Sequence, residues 1–154
     1  MGEERDGLVL RYEHRDTDKT GRLSAEVQFN GFAGTSSAWF SEAELVEFAD
    51  RLGTYPLGDT GFHLRGGYGP DGGAFEEHVS LTVRAVGRRG QVGLVAHLAT
   101  PADRHAHPGS SPSEVRVDVL TTYEALARFS SELTRLLAGT ADQARLDAEV
   151  LGRP

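Results

Sequence analysis

The chain contains no cysteine among its 154 residues. This absence excludes disulfide bonds, thiolate catalysis and metal centres or clusters held by cysteine. Long apolar runs are also missing, since no segment approaches the roughly 18 apolar residues that a membrane-spanning helix needs. The first residues, Met1 to Asp6, are charged and lack the apolar segment of a signal peptide. We therefore expect a soluble, cytoplasmic protein.

Basic side chains are scarce, and the acidic ones are unevenly distributed. Lys19 is the only lysine, and the formal net charge is −7 at pH 7. Residues 1–78 carry 15 acidic and 7 basic side chains, whereas residues 79–154 carry 8 acidic and 9 basic ones. Such a surface repels a phosphate backbone, because nucleic-acid binding needs clustered lysine and arginine. It attracts a basic partner, although the same charge also serves ordinary solubility.

A strand in the first half of the chain leads into a capped amphipathic helix. Trp39 and Phe40 precede Ser41, which has capping-box spacing to Glu44, so that each side chain can bond the other residue's backbone N–H. We predict a helix over residues 42–52, and we place Trp39 in the core. The helix has two opposite sides, an apolar arc of Leu45, Phe48, Ala49 and Leu52 and an acidic side of Glu44, Glu47 and Asp50.

A second unit of the same kind follows in the other half of the chain. Thr121 and Glu124 again have capping-box spacing, and Gly139 ends a helix that we predict over residues 122–138. Its apolar arc comprises Ala125, Leu126, Phe129, Leu133, Leu136 and Leu137. We predict a short C-terminal helix or a tail over residues 139–154.

Seven segments have the composition or the alternation of strands. They are residues 8–12, 23–29, 36–40, 62–65, 79–85, 92–98 and 115–119. The short connection at residues 87–90 requires an antiparallel hairpin. The sequence therefore predicts a single α+β domain over residues 1–154, with an antiparallel, meander-like sheet of about 6–7 strands and two main helices packed on one face.

Two polar segments invite a functional interpretation. Residues 66–73 contain five glycines but lack the Gly-Lys-Ser/Thr ending of a P-loop, so we interpret them as a loop in which Tyr68 can contact a partner. His105 and His107, with Asp103 nearby, have a spacing that permits metal chelation, but no third ligand is evident. We predict neither a metal nor a cofactor, and whether either loop binds anything stays open.

The sequence contains no recognisable catalytic set. Glu76, Glu77 and His78 stand at the start of a strand, where one of them can supply a general base. No nucleophile or paired acid can be placed near them from the sequence. His97 lies in the middle of a strand, on the face opposite its apolar neighbours, and we predict a side chain on the sheet surface. These observations favour a protein that is not an enzyme.

The segment from Trp39 to Leu45, with Phe48 and Leu52 after it, resembles the aromatic-to-helix transition of small WapI-like bacterial immunity proteins. The chain also resembles an uncharacterised actinobacterial domain family of similar length, to which residues 77–81 and the helix over residues 121–133 correspond. These resemblances extend over most of the chain and imply an α+β fold. The first family implies neutralisation of a cognate toxin by direct binding, and neither family supplies catalytic residues.

The preferred hypothesis is a protein-binding module, specifically an immunity protein that neutralises a toxin through an acidic surface. An inhibitor of a basic toxin domain needs a stable scaffold, an acidic face and one or two aromatic anchors. The residues predicted to bind the partner are Glu44, Glu47, Asp50, Tyr68, Glu76 and Glu77. Neither a nucleic acid nor a membrane is an expected partner.

Two alternatives stay open. The first is a small-molecule-binding or hydrolytic domain whose site lies between sheet and loops and uses His63, His78 or His97. The second is a homodimer joined through exposed strand edges. The sequence does not decide between monomer and homodimer, and it specifies neither the strand order nor the identity of the partner.

Overall fold

The computed structural model describes residues 5–57, 61–68, 76–87, 90–100 and 113–149. Within these ranges the chain forms eight strands and two helices. The strands are β1 Gly7–Arg15, β2 Thr20–Phe29, β3 Phe32–Ser41, β4 Phe62–Tyr68, β5 Glu76–Val86, β6 Gln91–Ala99, β7 Glu114–Thr122 and β8 Ala144–Asp147. The helices are α1 Glu42–Leu52, between β3 and β4, and α2 Tyr123–Ala138, between β7 and β8.

The strands form two antiparallel sheets of four strands each. The first sheet has the order β3-β2-β1-β8, and the second has the order β4-β5-β6-β7. The predicted α+β class, the antiparallel pairing and the two main helices are confirmed, but the strands divide between two sheets instead of forming one. Alternation of apolar and polar residues shows which face of a strand is buried, but not which element packs on that face. The sequence pattern is therefore compatible with one sheet or with two packed sheets.

One hydrophobic core joins both sheets and both helices. β3 packs across all four strands of the second sheet. The approach is so close that a Cβ atom on Gly66 would lie 2.5 Å from Cε1 of Phe40. α1 contacts β3 and β4, whereas α2 contacts β1, β7 and β8. Each helix therefore touches both sheets, which corrects the prediction that the helices cover one face of a single sheet.

Both helices bury the apolar arcs predicted from the sequence. The buried side chains are Leu45, Phe48, Ala49 and Leu52 in α1 and Ala125, Leu126, Phe129, Leu133 and Leu136 in α2. Leu137, which was predicted in the same arc, is half-buried at its edge. Neither described helix is long and apolar enough to cross a membrane.

The caps of the two helices differ from each other. At α1 the predicted capping box is present, since Ser41 accepts from the Glu44 N–H at 3.2 Å and Glu44 accepts from the Ser41 N–H at 3.0 Å. At α2 the prediction is one residue too early, because Thr122 is the N-cap and accepts from the Ala125 N–H at 3.1 Å. Thr121 is fully buried, and its hydroxyl donates to the Asp147 carbonyl.

Three local predictions are wrong. Residues 144–147 form β8, paired with β1, where a short helix was predicted, because Ala144 and Leu146 alternate with polar neighbours and face the core. β4 continues to Tyr68 through a register shift at Gly66, although residues 66–68 were predicted as loop, and residues 69–73 lie outside the described ranges. Trp39 is 45% exposed, because Ala38 and Phe40 take the two core-facing positions around it.

Candidate functional site

An open groove of about 540 Å³ lies between α1 and β4. Its helical wall consists of residues three or four apart, which share one face of α1. Its other wall consists of four consecutive residues of β4. The lining residues are Glu44, Glu47, Phe48 and Arg51 on the helix and Phe62, His63, Leu64 and Arg65 on the strand. We call this feature the α1–β4 groove.

The groove runs along the unpaired edge of β4. Successive side chains of a strand point to opposite faces of the sheet, so one cavity can touch residues 62–65 only by following the strand's edge. β4 is the outer strand of its sheet and pairs with β5 alone. Among the described residues, no turn, loop or cap backbone bond involves residues 62–68. The edge therefore presents backbone donors and acceptors to the groove.

Two aromatic rings provide the apolar part of the groove. Phe48 of α1 and Phe62 of β4 are 3% and 7% exposed, and their ring centroids lie 5.5 Å apart at an interplanar angle of 66°. This edge-to-face geometry is a favourable one for aromatic pairs. Both rings belong to the hydrophobic core, and the pair fixes the distance between helix and strand.

Charged side chains form the rim of the groove. Glu47 lies 3.7 Å from Arg51 one turn along α1, and Arg65 lies 3.3 Å from Glu77 of β5. The Glu47 and Arg51 side chains are 69% and 56% exposed, and exposed pairs of this kind contribute only about 0.3–0.5 kcal/mol. Glu47 or Arg51 can therefore leave this ion pair and bind a charged group of a partner at little loss of stability.

A shallow depression of about 620 Å³ lies on the outer face of α1. Its lining includes Val46, a large apolar side chain that is 44% exposed. The charged lining residues are Asp18, Glu42, Glu47 and Asp50 against Lys19, so that four carboxylates surround one cation. We call this depression the acidic face. Glu47 borders both the acidic face and the groove, which makes the two surfaces continuous.

One carboxylate of the acidic face is held in its charged form. The Thr20 hydroxyl donates to Asp18, and the Thr20 N–H donates to the same oxygen at 3.1 Å. The hydroxyl bond is the main reason why the pKa of Asp18 lies below its usual value. The acidic face therefore keeps this negative charge under mildly acidic conditions.

The six residues predicted to bind a partner fall into two groups. Glu44, Glu47 and Asp50 line the groove or the acidic face, as their shared side of the helix predicted. The other three lie where β4 ends and β5 begins, and Glu77 is linked to the groove through Arg65. Tyr68 pairs in register with Glu76, whose carboxylate lies 3.4 Å from His78. The partner-binding role of all six stays a prediction.

The three histidines of the alternative site lie on three neighbouring strands. His63 is exposed in the groove, and His78 is 7% exposed. His97 lies between two carboxylates, with Nδ1 3.8 Å from Glu77 and Nε2 3.5 Å from Glu114. Both imidazole nitrogens thus face acids, which leaves neither of them directed at a hydroxyl nucleophile.

Metal ligation finds no support in the part of the chain that the structure describes. No group of three or more histidine, aspartate or glutamate side chains there has an arrangement that could hold a metal ion. Asp103, His105 and His107 lie outside the described residues. Whether that segment binds anything therefore stays open.

Sequence reasoning missed the β4 wall of the groove. Phe62 and Leu64 read as ordinary core-facing strand residues, and Arg65 as a solvent-facing one. Their position in a groove depends on β4 being the edge strand and on α1 lying beside it, and alternation specifies neither. The five glycines that follow Arg65 were the nearest signal, since glycine-rich segments often flank irregular strand edges.

Comparisons with known proteins give no family for this chain. A scan against protein-family models, a search of curated proteins and a search of solved structures each found no match. The functional argument therefore depends on the geometry and charge of the groove and the acidic face.

Proposed function

We propose that this chain is a non-enzymatic protein-binding module that captures a basic partner through the acidic face of α1. The observation that carries the proposal is the exposed apolar side chain of Val46 with four carboxylates and one lysine around it. Protein interfaces combine an apolar centre with a polar rim in this way. A rim of one sign selects partners of the opposite sign and repels those of the same sign.

The partner class that we favour is a basic toxin domain, which makes the chain an immunity protein. The resemblance of residues 39–45 to the WapI-like proteins suggests this class, and the acidic first half of the chain agrees with it. An inhibitor must reach a toxin quickly. Complementary charge accelerates diffusional encounter by about ten- to a thousandfold, and salt weakens the effect.

The test is to measure binding of the purified protein to the product of the neighbouring gene, at low and at high salt, by biolayer interferometry. The variant carries Glu42→Gln, Glu47→Gln and Asp50→Asn, which remove three charges from the acidic face. The control variant carries Glu26→Gln, Glu124→Gln and Asp142→Asn, which remove three exposed charges elsewhere.

We expect the acidic-face variant to lower the association rate constant about tenfold or more, and the control variant to change it less than about twofold. High salt should remove most of the difference between them. Equal effects of the two variants, binding that salt leaves unchanged, or no binding at either salt concentration would each overturn the proposal.

A further inference from the structure

We propose that the interface with the basic partner extends from the acidic face along β3 to Trp39, which is its apolar anchor. The partner that fits this surface has an apolar cleft for the indole ring beside a basic patch for the carboxylates. This inference rests on the proposed function, because it specifies how the captured partner is held.

The indole ring of Trp39 lies outside the hydrophobic core. It belongs to the chain's one tryptophan and is 45% exposed. In the part of the chain that the structure describes, Trp39 is neither a member of the core cluster nor packed against it. The other outward-facing residues of β3 are small, namely Ala33, Thr35, Ser37 and Ser41. The fold does not use this ring for its core, which leaves the ring available to a partner.

The register of the first sheet places Trp39 next to the acidic face. Thr20 of β2 pairs with Ser41 of β3, and both residues line the acidic face. Arg22 pairs with Trp39 at the next pair of positions on the same side of the sheet. Two residues of a strand span about 7 Å. Trp39 is therefore the neighbour of the acidic face on the exposed side of this sheet.

The side chains around Trp39 bond to one another and contact the ring. The His14 ring lies 5.7 Å from the indole, between centroids, at an interplanar angle of 74°. Glu13 accepts from the hydroxyl of Ser37, and its carboxylate also lies 3.3 Å from Arg22. A tryptophan side chain has only two torsions, so its ordering on binding costs little conformational entropy. These contacts lower that cost further, as expected of a preorganised anchor.

The charges next to Trp39 indicate which part of the partner meets the ring. Arg22 is opposite Trp39, His14 contacts it, and the carboxylate of Glu13 is engaged by Arg22. A basic side chain of the partner is therefore disfavoured at the ring, and an apolar one is favoured. The carboxylates of the acidic face receive the basic groups instead. The two parts then have separate effects, since exposed charges mainly set the association rate, whereas a buried anchor mainly sets the dissociation rate.

The experiment measures binding of the purified chain to the product of the neighbouring gene by biolayer interferometry, at low and at high salt. The variant is Trp39→Ala. Its matched control is Phe32→Ala, which truncates a 66% exposed aromatic side chain about 23 Å away along the same strand. A second measurement follows the fluorine NMR signal of fluorotryptophan, which labels position 39 alone. Urea denaturation compares the stability of both variants with that of the parent.

We expect Trp39→Ala to raise the dissociation rate constant at least about tenfold and to leave the association rate constant within about threefold, at both salt concentrations. Phe32→Ala should change both constants less than about twofold. The fluorine signal should shift on saturation with the partner. Both variants should unfold at nearly the same urea concentration as the parent, because neither ring belongs to the core cluster.

Two results would overturn the anchor while leaving the proposed function intact. In the first, Trp39→Ala dissociates no faster than Phe32→Ala, although the acidic-face variant still associates more slowly than its control. In the second, the fluorine signal is the same with and without saturating partner. Weaker binding together with a large loss of stability in Trp39→Ala would give the ring a structural role and would also overturn the anchor. Absence of binding by the parent would overturn this inference and the proposed function together.

Discussion

Two of the four edge strands, β8 of the first sheet and β4 of the second, have opposite surroundings. β8, at the edge of the first sheet, is covered by α2 and tied by side chains. Its Arg145 guanidinium donates to Asp147 at 2.8 Å and to the Asp6 carbonyl at 3.2 Å, and the Thr121 hydroxyl donates to the Asp147 carbonyl at 2.7 Å. β4, at the edge of the second sheet, borders the open α1–β4 groove, where Arg65 donates to Glu77 on β5.

This difference separates an edge with a structural role from an edge that is available for binding. An unpaired strand edge is a template for association with other chains, and proteins commonly cover it or place charges on it. Here β8 is covered, and β4 lies beside the open groove, whose lining includes Glu44 and Glu47 together with Arg51 and Arg65.

The largest expected effect is the loss of packing at the covered edge. Leu146 of β8 is 0% exposed, so Leu146→Ala leaves a cavity and should lower the free energy of unfolding by about 2–5 kcal/mol. Leu64 of β4 is 5% exposed and lines the groove, so Leu64→Ala should cost less, because water can enter the space that it leaves. Urea denaturation followed by circular dichroism measures both values.

The comparison between the two edges is contradicted if Leu64→Ala and Leu146→Ala lower the free energy of unfolding equally. A cost for Leu64→Ala equal to or larger than that of Leu146→Ala would mean that the groove is closed in solution. Residues 61–68 would then be part of a sealed core, and the α1–β4 groove would not be open to a partner.

The next effect comes from the hydrogen bond that fastens β8. Thr121→Val keeps the shape of the side chain but leaves the Asp147 carbonyl without its 2.7 Å donor, so we expect a loss of about 1–3 kcal/mol. Thr35 is an exposed residue of the edge strand β3, and Thr35→Val is the control, expected within about 0.5 kcal/mol of the parent. Thermal and urea unfolding check both. If Thr121→Val and Thr35→Val are equally stable, the hydrogen bond from Thr121 does not stabilise the β8 edge.

The helices were predictable from the sequence because their signals are local. The Ser41 and Glu44 capping box, the one-sided arc of α1 and Gly53 after it all lie within residues 41–53, and α1 spans the predicted residues 42–52. The sheets were not predictable in the same way. β8 contains only four residues, and its alternation is therefore short. Leu146 and Val150 also have the spacing of a helix, and that pattern favoured the helix prediction over a strand at 144–147.

The candidate site was predictable only on its helical side. The exposure of Glu44, Glu47 and Asp50 follows from the arc that buries Leu45 and its neighbours, and the structure confirms that they are exposed. The opposite wall needs two facts about the tertiary structure, namely that β4 has one paired neighbour and that α1 lies beside β4. Both depend on contacts between segments that no local pattern encodes.

A smaller effect is expected from removing the N-cap hydrogen bond of each helix. Ser41→Ala removes the acceptor for the Glu44 N–H at α1, and Thr122→Ala removes the acceptor for the Ala125 N–H at α2. Each should cost about 1 kcal/mol in global stability. Amide hydrogen exchange should differ between them, because α1 borders an open groove while α2 packs on β8. We expect faster exchange along the first turn of α1 in Ser41→Ala, and little change beyond the cap of α2 in Thr122→Ala. Equal fraying of both helices would contradict the comparison.

The smallest effect concerns the pH dependence of the acidic face. The pKa of Asp18 is lowered in the folded state, so this carboxylate contributes stability above its unfolded pKa of about 3.9, and that contribution is lost as pH falls through the lower folded pKa. Thr20→Val removes the hydroxyl donor, which should move the pKa of Asp18 back toward its usual value. The parent should therefore exceed Thr20→Val in stability most at neutral pH, and the difference should shrink as pH falls below 4. NMR titration of the Asp18 carboxyl measures the shift directly. If the pKa does not change in Thr20→Val, the hydroxyl bond is not what maintains this charge, and the acidic face depends on the Thr20 N–H alone.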